Sequence, residues 1–151
     1  RIKNKYITII NEKGLDLIIE TDKSIKQYYG DKNKIEKILQ HLISNAIKFT
    51  KSGYIKISTK LLNNSILYII SDTGIGIDKN KKKIIFNKFR QSDNSDSREF
   101  GGTGLGLSIC EKLVSLHNGD IWVESEINKG STFYFTIPYK NKEKIIDEKK
   151  S

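Results

Sequence analysis

Between Asp31 and Lys48 apolar residues recur at every third or fourth position: Ile35, Ile38, Leu39, Leu42, Ile43, Ala46 and Ile47. On a helix these side chains form one stripe, and Asp31 is placed to cap its start. A one-sided helix cannot bury its stripe alone, so the chain must supply a second layer. That layer follows in the sequence. Residues 54–61 alternate, with Ile55, Ile57, Thr59 and Leu61 on one face, and Asn63-Asn64 can turn the chain into SILYIIS, Ser65–Ser71. The two runs predict a β-hairpin.

The remaining elements are shorter. Ile2, Tyr6, Ile9 and Ile10 at helical spacing favour the tail of a helix over 2–13 with Gly14 as its C-cap, although the β-branched ITII would suit a strand, and Leu15–Thr21 predicts a strand. A helical patch is expected near Ile84 and Ile85, and the polar stretch Gln91–Glu99 has little to bury and is expected to be mobile. The glycines from Gly101 open a helix with Leu105, Ile109, Leu113 and Val114 inward, ended by Asn118-Gly119. DIWVESE and STFYFTIP predict a closing strand pair around NKGS, stopped by Pro138, and the tail NKEKIIDEKKS lies beyond the core. Helices and strands alternate irregularly, without an internal repeat. The order suits an α/β two-layer sandwich, a mixed and largely antiparallel sheet packed on helices, better than a parallel βαβ array.

A chain of 151 residues with 36% hydrophobic content is read as one domain, with its core over about 14–138 and a tail over 139–151. The net charge of +9 invites a nucleic-acid partner, but the lysines are scattered and no aromatic platform is interleaved with them. No nucleic acid is therefore expected. One cysteine, Cys110, excludes an internal disulfide and a cysteine metal cluster, which favours a reducing, cytoplasmic setting. There is no apolar run of membrane-spanning length and no signal-peptide core. The first residue is Arg1 rather than methionine, as expected of a piece of a longer protein.

Three stretches can carry chemistry. On the long helix His41, Asn45 and Lys48 share one edge. An Asn carbonyl oxygen suits Mg²⁺ and a lysine suits phosphate, although polar residues flank every amphipathic helix. Next, SDTGIGI places Asp72 at the end of an apolar strand, where a partly buried carboxylate needs donors such as an exocyclic amine. Gly74 and Gly76 would let the main chain approach a flat ligand, or serve only to make a turn. Last, Gly101, Gly102, Gly104 and Gly106 surround Thr103 at a helix start, where unpaired amides and the helix dipole favour a phosphate chain. The spacing is neither a P-loop nor a dinucleotide fingerprint after a first strand.

In this order the stretches resemble the ATP-binding catalytic domain of sensor histidine kinases, in the superfamily that includes gyrase-type topoisomerases and heat-shock chaperone ATPases. HLISNAIKFT is similar to the N box, DTGIGI to the G1 box, IFNKFRQ to the F box, GGTGLGL to the G2 box and GSTFYFTIP to the closing strand. The resemblance implies a Bergerat ATP-binding fold with a mobile lid, binding ATP and Mg²⁺. It assigns Asn45 to Mg²⁺, Lys48 to the phosphates and Asp72 to the adenine amine, with Gly74, Gly76 and Ile77 shaping that wall. Phe86 and Phe89 would anchor the lid, while Gly102, Thr103, Gly104, Leu105, Gly106 and Leu107 would wrap the triphosphate. Thr132 takes the position of the family's threonine near the adenine, acting through water.

His41 departs from the pattern. Many histidine kinases have asparagine there, and the chaperone and gyrase branches a glutamate that activates water. The substitution argues against hydrolysis by the glutamate route and leaves His41 as either a proton acceptor or a supporting structural residue. Neither His41 nor His117 lies in the acidic context of a phosphoacceptor. The resemblance therefore implies an enzyme module, a protein-histidine kinase domain whose γ-phosphoryl acceptor is a histidine on a separate dimerisation domain of the parent, with a response regulator downstream. The isolated domain is expected to be a monomer, the parent a homodimer that can be anchored in the plasma membrane. The alternative keeps the fold as a nucleotide-sensing or scaffold pseudokinase.

Overall fold

The computed structural model describes residues 2–25, 32–82 and 104–138. The Ile35–Ile47 stripe does form one helix face. In α2 (Lys32–Phe49) Ile35, Ile38, Leu42, Ile43, Ala46 and Ile47 are buried, with Leu39 at the margin. They pack on β2 (Tyr54–Leu61) and β3 (Ser65–Asp72), the predicted hairpin, whose turn is closed by the Leu62 N–H donating to the Ser65 carbonyl at 2.8 Å. Alternation puts Ile55 and Ile57 of β2, and Ile66, Tyr68 and Ile70 of β3, on the helix side.

The chain before and after this unit extends the sheet. α1 (Ile2–Glu12) leads into β1 (Asp16–Glu20), which runs parallel to β2. After α3 (Lys79–Lys82) and α4 (Gly104–Leu116), β4 (Ile121–Glu126) and β5 (Gly130–Pro138) form the closing pair. The strand order is β1-β2-β3-β5-β4, antiparallel at every pairing but the first. Across β3 and β5 Tyr68 faces Phe135, their rings stacked at 4.5 Å between centroids, in the middle of the core. The mixed, largely antiparallel sheet and its helical layer are the architecture expected.

Helix ends are closed by local chemistry. Gly14, at φ 74°, lets the chain reverse after α1, so that the Gly14 and Leu15 amides meet the Asn11 and Ile10 carbonyls and Leu15 is buried. The same pattern ends α4, with Asn118 rather than Gly119 in the left-handed conformation (φ 58°). At the end of α2 the Lys13 ammonium donates to the Ile47 carbonyl, and the Ile75 amide to the Phe49 carbonyl at 3.2 Å.

The inward face of α4 differs from the expectation. Leu107, Cys110 and Val114 are buried, with Leu113 marginal and Ile109 only half-buried. A small thiol lets α4 approach α2 closely, and the Cys110 Sγ donates to the Ile38 carbonyl at 3.7 Å. Burial pushes that thiol up to about 12. Asp31, Ile84, Ile85, Gln91–Glu99, the side chain of Leu105 and the tail beyond Pro138 lie outside the described residues.

The two faces of the sheet should respond differently to truncation. Phe135→Ala, at a fully buried site, is expected to cost about 4 kcal/mol. Trp122→Ala, on the open face and 40% exposed, should cost about 1 kcal/mol. Urea unfolding of both variants measures the difference, and equal losses would contradict the layering.

Candidate functional site

β3 ends in Asp72 on the helix-facing side of the sheet, directly opposite Ser131 of β5. A half-buried carboxylate there needs donors, and Oδ1 accepts from the Gly74 amide at 2.9 Å and the Ser131 amide at 3.3 Å. Burial nevertheless dominates and raises the Asp72 pKa above its ordinary 3.8, against the lowering effect of those two hydrogen bonds. Both of these bonds fall on Oδ1, and Asp72 lines the adjoining cleft.

The following loop is clamped from both sides. The Thr73 hydroxyl donates to the Ser52 carbonyl and accepts from the Tyr54 amide, both at 2.9 Å. On the other flank the Ile77 amide donates to the Ser125 hydroxyl at 2.8 Å, and the Asn128 amide to the Ile75 carbonyl at 2.8 Å. The glycines serve these contacts. A Cβ on Gly74 would stand 2.5 Å from the Phe49 carbonyl oxygen, and one on Gly76 2.1 Å from that of Glu126. The space read in the sequence as clearance for a ligand is occupied by the protein's own backbone. Asp78 then caps α3 through the Asn80 amide at 2.8 Å.

α2, this loop, α3, α4 and the β4–β5 turn enclose a cleft of about 430 Å³. Its walls are mainly apolar, from Ala46, Phe49, Ile77, Leu107 and Phe133, with Asp72, Asn45 and Ser131 as convergent polar groups. Asn45 is only 7% exposed, unusual for a polar residue on a packed helix. Ile75 and Ile127, about half-exposed, stand at the rim together with Lys81 of α3.

The sequence candidates separate accordingly. Asn45, Asp72, Gly76, Ile77 and Leu107 line the cleft. Gly74 is buried behind it, and Lys48 is exposed on α2 with its ammonium 5.8 Å from the Phe49 ring centre. His41, one turn before Asn45, is half-buried and does not line the cleft. Its Nε2 has no hydrogen-bond partner among the described residues. Burial first, then the Lys37 charge, lowers its pKa, so the imidazole is neutral at pH 7. Gly104, Leu105 and Gly106 form the first turn of α4, whereas Phe86, Phe89, Gly102 and Thr103 lie outside the described residues.

Thr132 is a correction. It pairs with Ser71 on the open face of the sheet, hydroxyl to hydroxyl at 3.1 Å, and Ser131 is the residue beside Asp72 in the cleft. The signal was available, because Ser131 shares its face with Phe133 and Phe135, whereas Thr132 alternates with them.

Residues 30–141 match the family described as histidine kinase-, DNA gyrase B-, and HSP90-like ATPases. The chain belongs to that family. Within this ATPase family it is 45% identical over 144 residues to the autoinducer 2 sensor kinase/phosphatase LuxQ of Vibrio vulnificus (strain YJ016), an alignment covering 91% of this chain and 17% of LuxQ. The nucleotide-free catalytic domain of histidine kinase ThkA superposes with a TM-score of 0.76 at 30% identity, over 91% of this chain and 87% of that one. Full-length ShkA in complex with AMPPNP gives 0.79 at 25% identity, over 91% of this chain and 28% of ShkA. As a domain, this ATPase-family chain corresponds to the ATP-binding catalytic unit of sensor histidine kinases.

The buried carboxylate should weigh on stability. With its folded pKa raised above the unfolded value, Asp72 contributes stability below about pH 3.8 that is lost as pH rises through the folded pKa. Asp72→Asn is therefore expected to melt higher than wild type at pH 7, with the difference vanishing near pH 3. Thermal unfolding at both pH values measures this, and a variant less stable at pH 7 would contradict it.

Proposed function

We propose that this chain binds Mg-ATP in the cleft and presents the γ-phosphoryl group for transfer to a histidine on a dimerisation domain of the parent protein. The observation that carries the reading is Asp72: a half-buried carboxylate with one oxygen saturated by main-chain donors, facing an apolar slot of about 430 Å³. A flat apolar ring bearing an amine fits that combination, with the amine donating to Oδ2 and the ring lying between Ala46, Ile77 and Phe133. Leu107, 3% exposed at the start of α4, brings that helix start against the same slot. In this reading the amides of Gly104, Leu105 and Gly106, in the first turn of that helix, would take the phosphates, the role also given to Gly102 and Thr103.

The donor set fits Mg²⁺ of the nucleotide-borne kind. Among the described residues no group of three or more His, Cys, Asp or Glu side chains could hold a metal, while Asn45 offers one buried amide oxygen at the cleft. Mg²⁺ accepts few protein ligands and fills its octahedron with phosphate oxygens and water. When bound, the ion would neutralise charge on the phosphates. Asn45 would orient it, Lys48 would add a point charge, and Phe86 and Phe89 would anchor a lid. The protein's work is positioning and water exclusion, which suits transfer to an incoming imidazole nitrogen. His41, neutral and outside the cleft, serves in this reading as a support for the helix that carries Asn45.

Residues 1–151 act as one catalytic domain with its core over 14–138, monomeric alone. The phosphoacceptor domain, the dimer it makes, the response regulator and any membrane anchor belong to the parent. No helix among the described residues is long and apolar enough to cross a membrane.

Calorimetry with ATP, with and without Mg²⁺, tests the reading. Micromolar, Mg²⁺-sensitive binding is expected, weakened at least about tenfold in Asp72→Asn, the equivalent of one charge-assisted hydrogen bond. Radiolabel from the γ-position should then appear on the histidine of an added dimerisation domain and not on this chain. No binding by the folded wild type would leave the scaffold reading in its place.

A further inference from the structure

β3 leaves its ladder with β2 through a side chain. The last strand pair is Asp72 opposite Ile55, and one step on Thr73 stands opposite Tyr54, where a regular antiparallel pair exchanges two main-chain bonds. The first of these is main chain, the Thr73 amide donating to the Tyr54 carbonyl at 3.2 Å. The return bond, from the Tyr54 amide, goes to the Thr73 hydroxyl at 2.9 Å. That hydroxyl has the Ser52 carbonyl at 2.9 Å and the Tyr54 carbonyl at 3.4 Å to donate to. An amide only donates and both carbonyls only accept, so the hydroxyl is held from two sides whichever carbonyl takes its hydrogen. The turn before β2 leaves room for it. Gly53 lies at φ 102°, and a Cβ there would stand 2.0 Å from the Thr73 oxygen.

With its hydroxyl standing in for its own carbonyl, Thr73 lets the main chain turn off the sheet at this residue. Asp72 is then the last strand position and Gly74 opens the loop. The Gly74 amide closes back on Asp72 Oδ1 at 2.9 Å, and the Ile75 amide reaches the Phe49 carbonyl at 3.2 Å, at the end of the helix that carries Asn45 and Lys48. We infer that Thr73 is a positioning residue for the nucleotide: its hydroxyl latches the loop to the α2–β2 turn and so fixes Asp72 relative to α2. The latch is exposed, so water could satisfy Tyr54 and Ser52 one at a time, but water would not tie them to the loop. The inference rests on the nucleotide reading above and adds to it a residue that does not line the cleft.

Amide hydrogen exchange on the wild-type chain without nucleotide needs no variant. The Tyr54 amide should exchange at least about tenfold more slowly than an unstructured amide, and free exchange overturns the latch. Calorimetry with Mg-ATP then reads the consequence. Thr73→Val, which keeps the shape and removes the hydroxyl, should bind about fivefold more weakly, the equivalent of one net hydrogen bond. Thr73→Ser keeps the hydroxyl and should stay within about twofold of wild type. In an Asp72→Asn background Thr73→Val should cost less than about twofold, because the group it positions is gone. Equal losses in the valine and serine variants mark a packing effect and sink the role of the hydroxyl, and a full loss in the Asp72→Asn background sinks its action through Asp72. If the wild type binds ATP and Thr73→Val binds it equally well, this inference alone fails; if the wild type binds no nucleotide while Tyr54 is protected, the functional reading fails and takes the inference with it.

Discussion

The segment Asp72–Ile77 must fit between the end of α2 and the β4–β5 turn, and most of the structure is arranged to hold it there. Its amides and glycine Cα atoms close on the Phe49 and Glu126 carbonyls, its aspartate on the Ser131 amide, and its exit on the Ser125 hydroxyl. A buried backbone needs every polar group satisfied. Here the donors and acceptors come from both layers and from strands far apart in sequence. The loop can be rigid without regular secondary structure because the sheet order places β5 beside β3. The same order brings Ser131 opposite Asp72.

The layers were legible in the sequence wherever one periodicity ran unbroken. The Ile35–Ile47 stripe, the 54–61 alternation and the Asn63-Asn64 turn each depend on near neighbours, and each stands as expected. α4 was harder, because its contact with α2 is set by a small cysteine and by Leu107 rather than by the bulkiest residues. At the site, Asp72 and Asn45 could be named from their setting at a strand end and on a helix edge. Ser131 was missed for Thr132 by one residue, which in a strand is the difference between the two faces of the sheet. Ser125 carries no local signal at all. Its role exists only once β4 and β5 are paired and the loop has been laid across them.

The polar groups of the cleft set stability against use. Asp72 keeps a charge half out of water and Asn45 takes a core position with an amide, where apolar residues would pack without desolvation cost. A fold selected for stability alone would replace both. Their retention beside an apolar slot is the expected mark of a site whose pairing is completed from outside the chain. His41 shows the opposite case, since its half-buried imidazole stays neutral and adds no charge beside Asn45.

The chain contains a single tryptophan, and it stands on the far side of the sheet from the cleft. Trp122 stacks on Tyr134 at 5.2 Å between ring centroids, in contact with solvent and separated from the cleft by the thickness of the sheet. Optically, the molecule therefore has an emitter that senses whether β4 and β5 remain paired and is blind to what fills the slot behind them. Its emission is a gauge of unfolding rather than of what fills the slot.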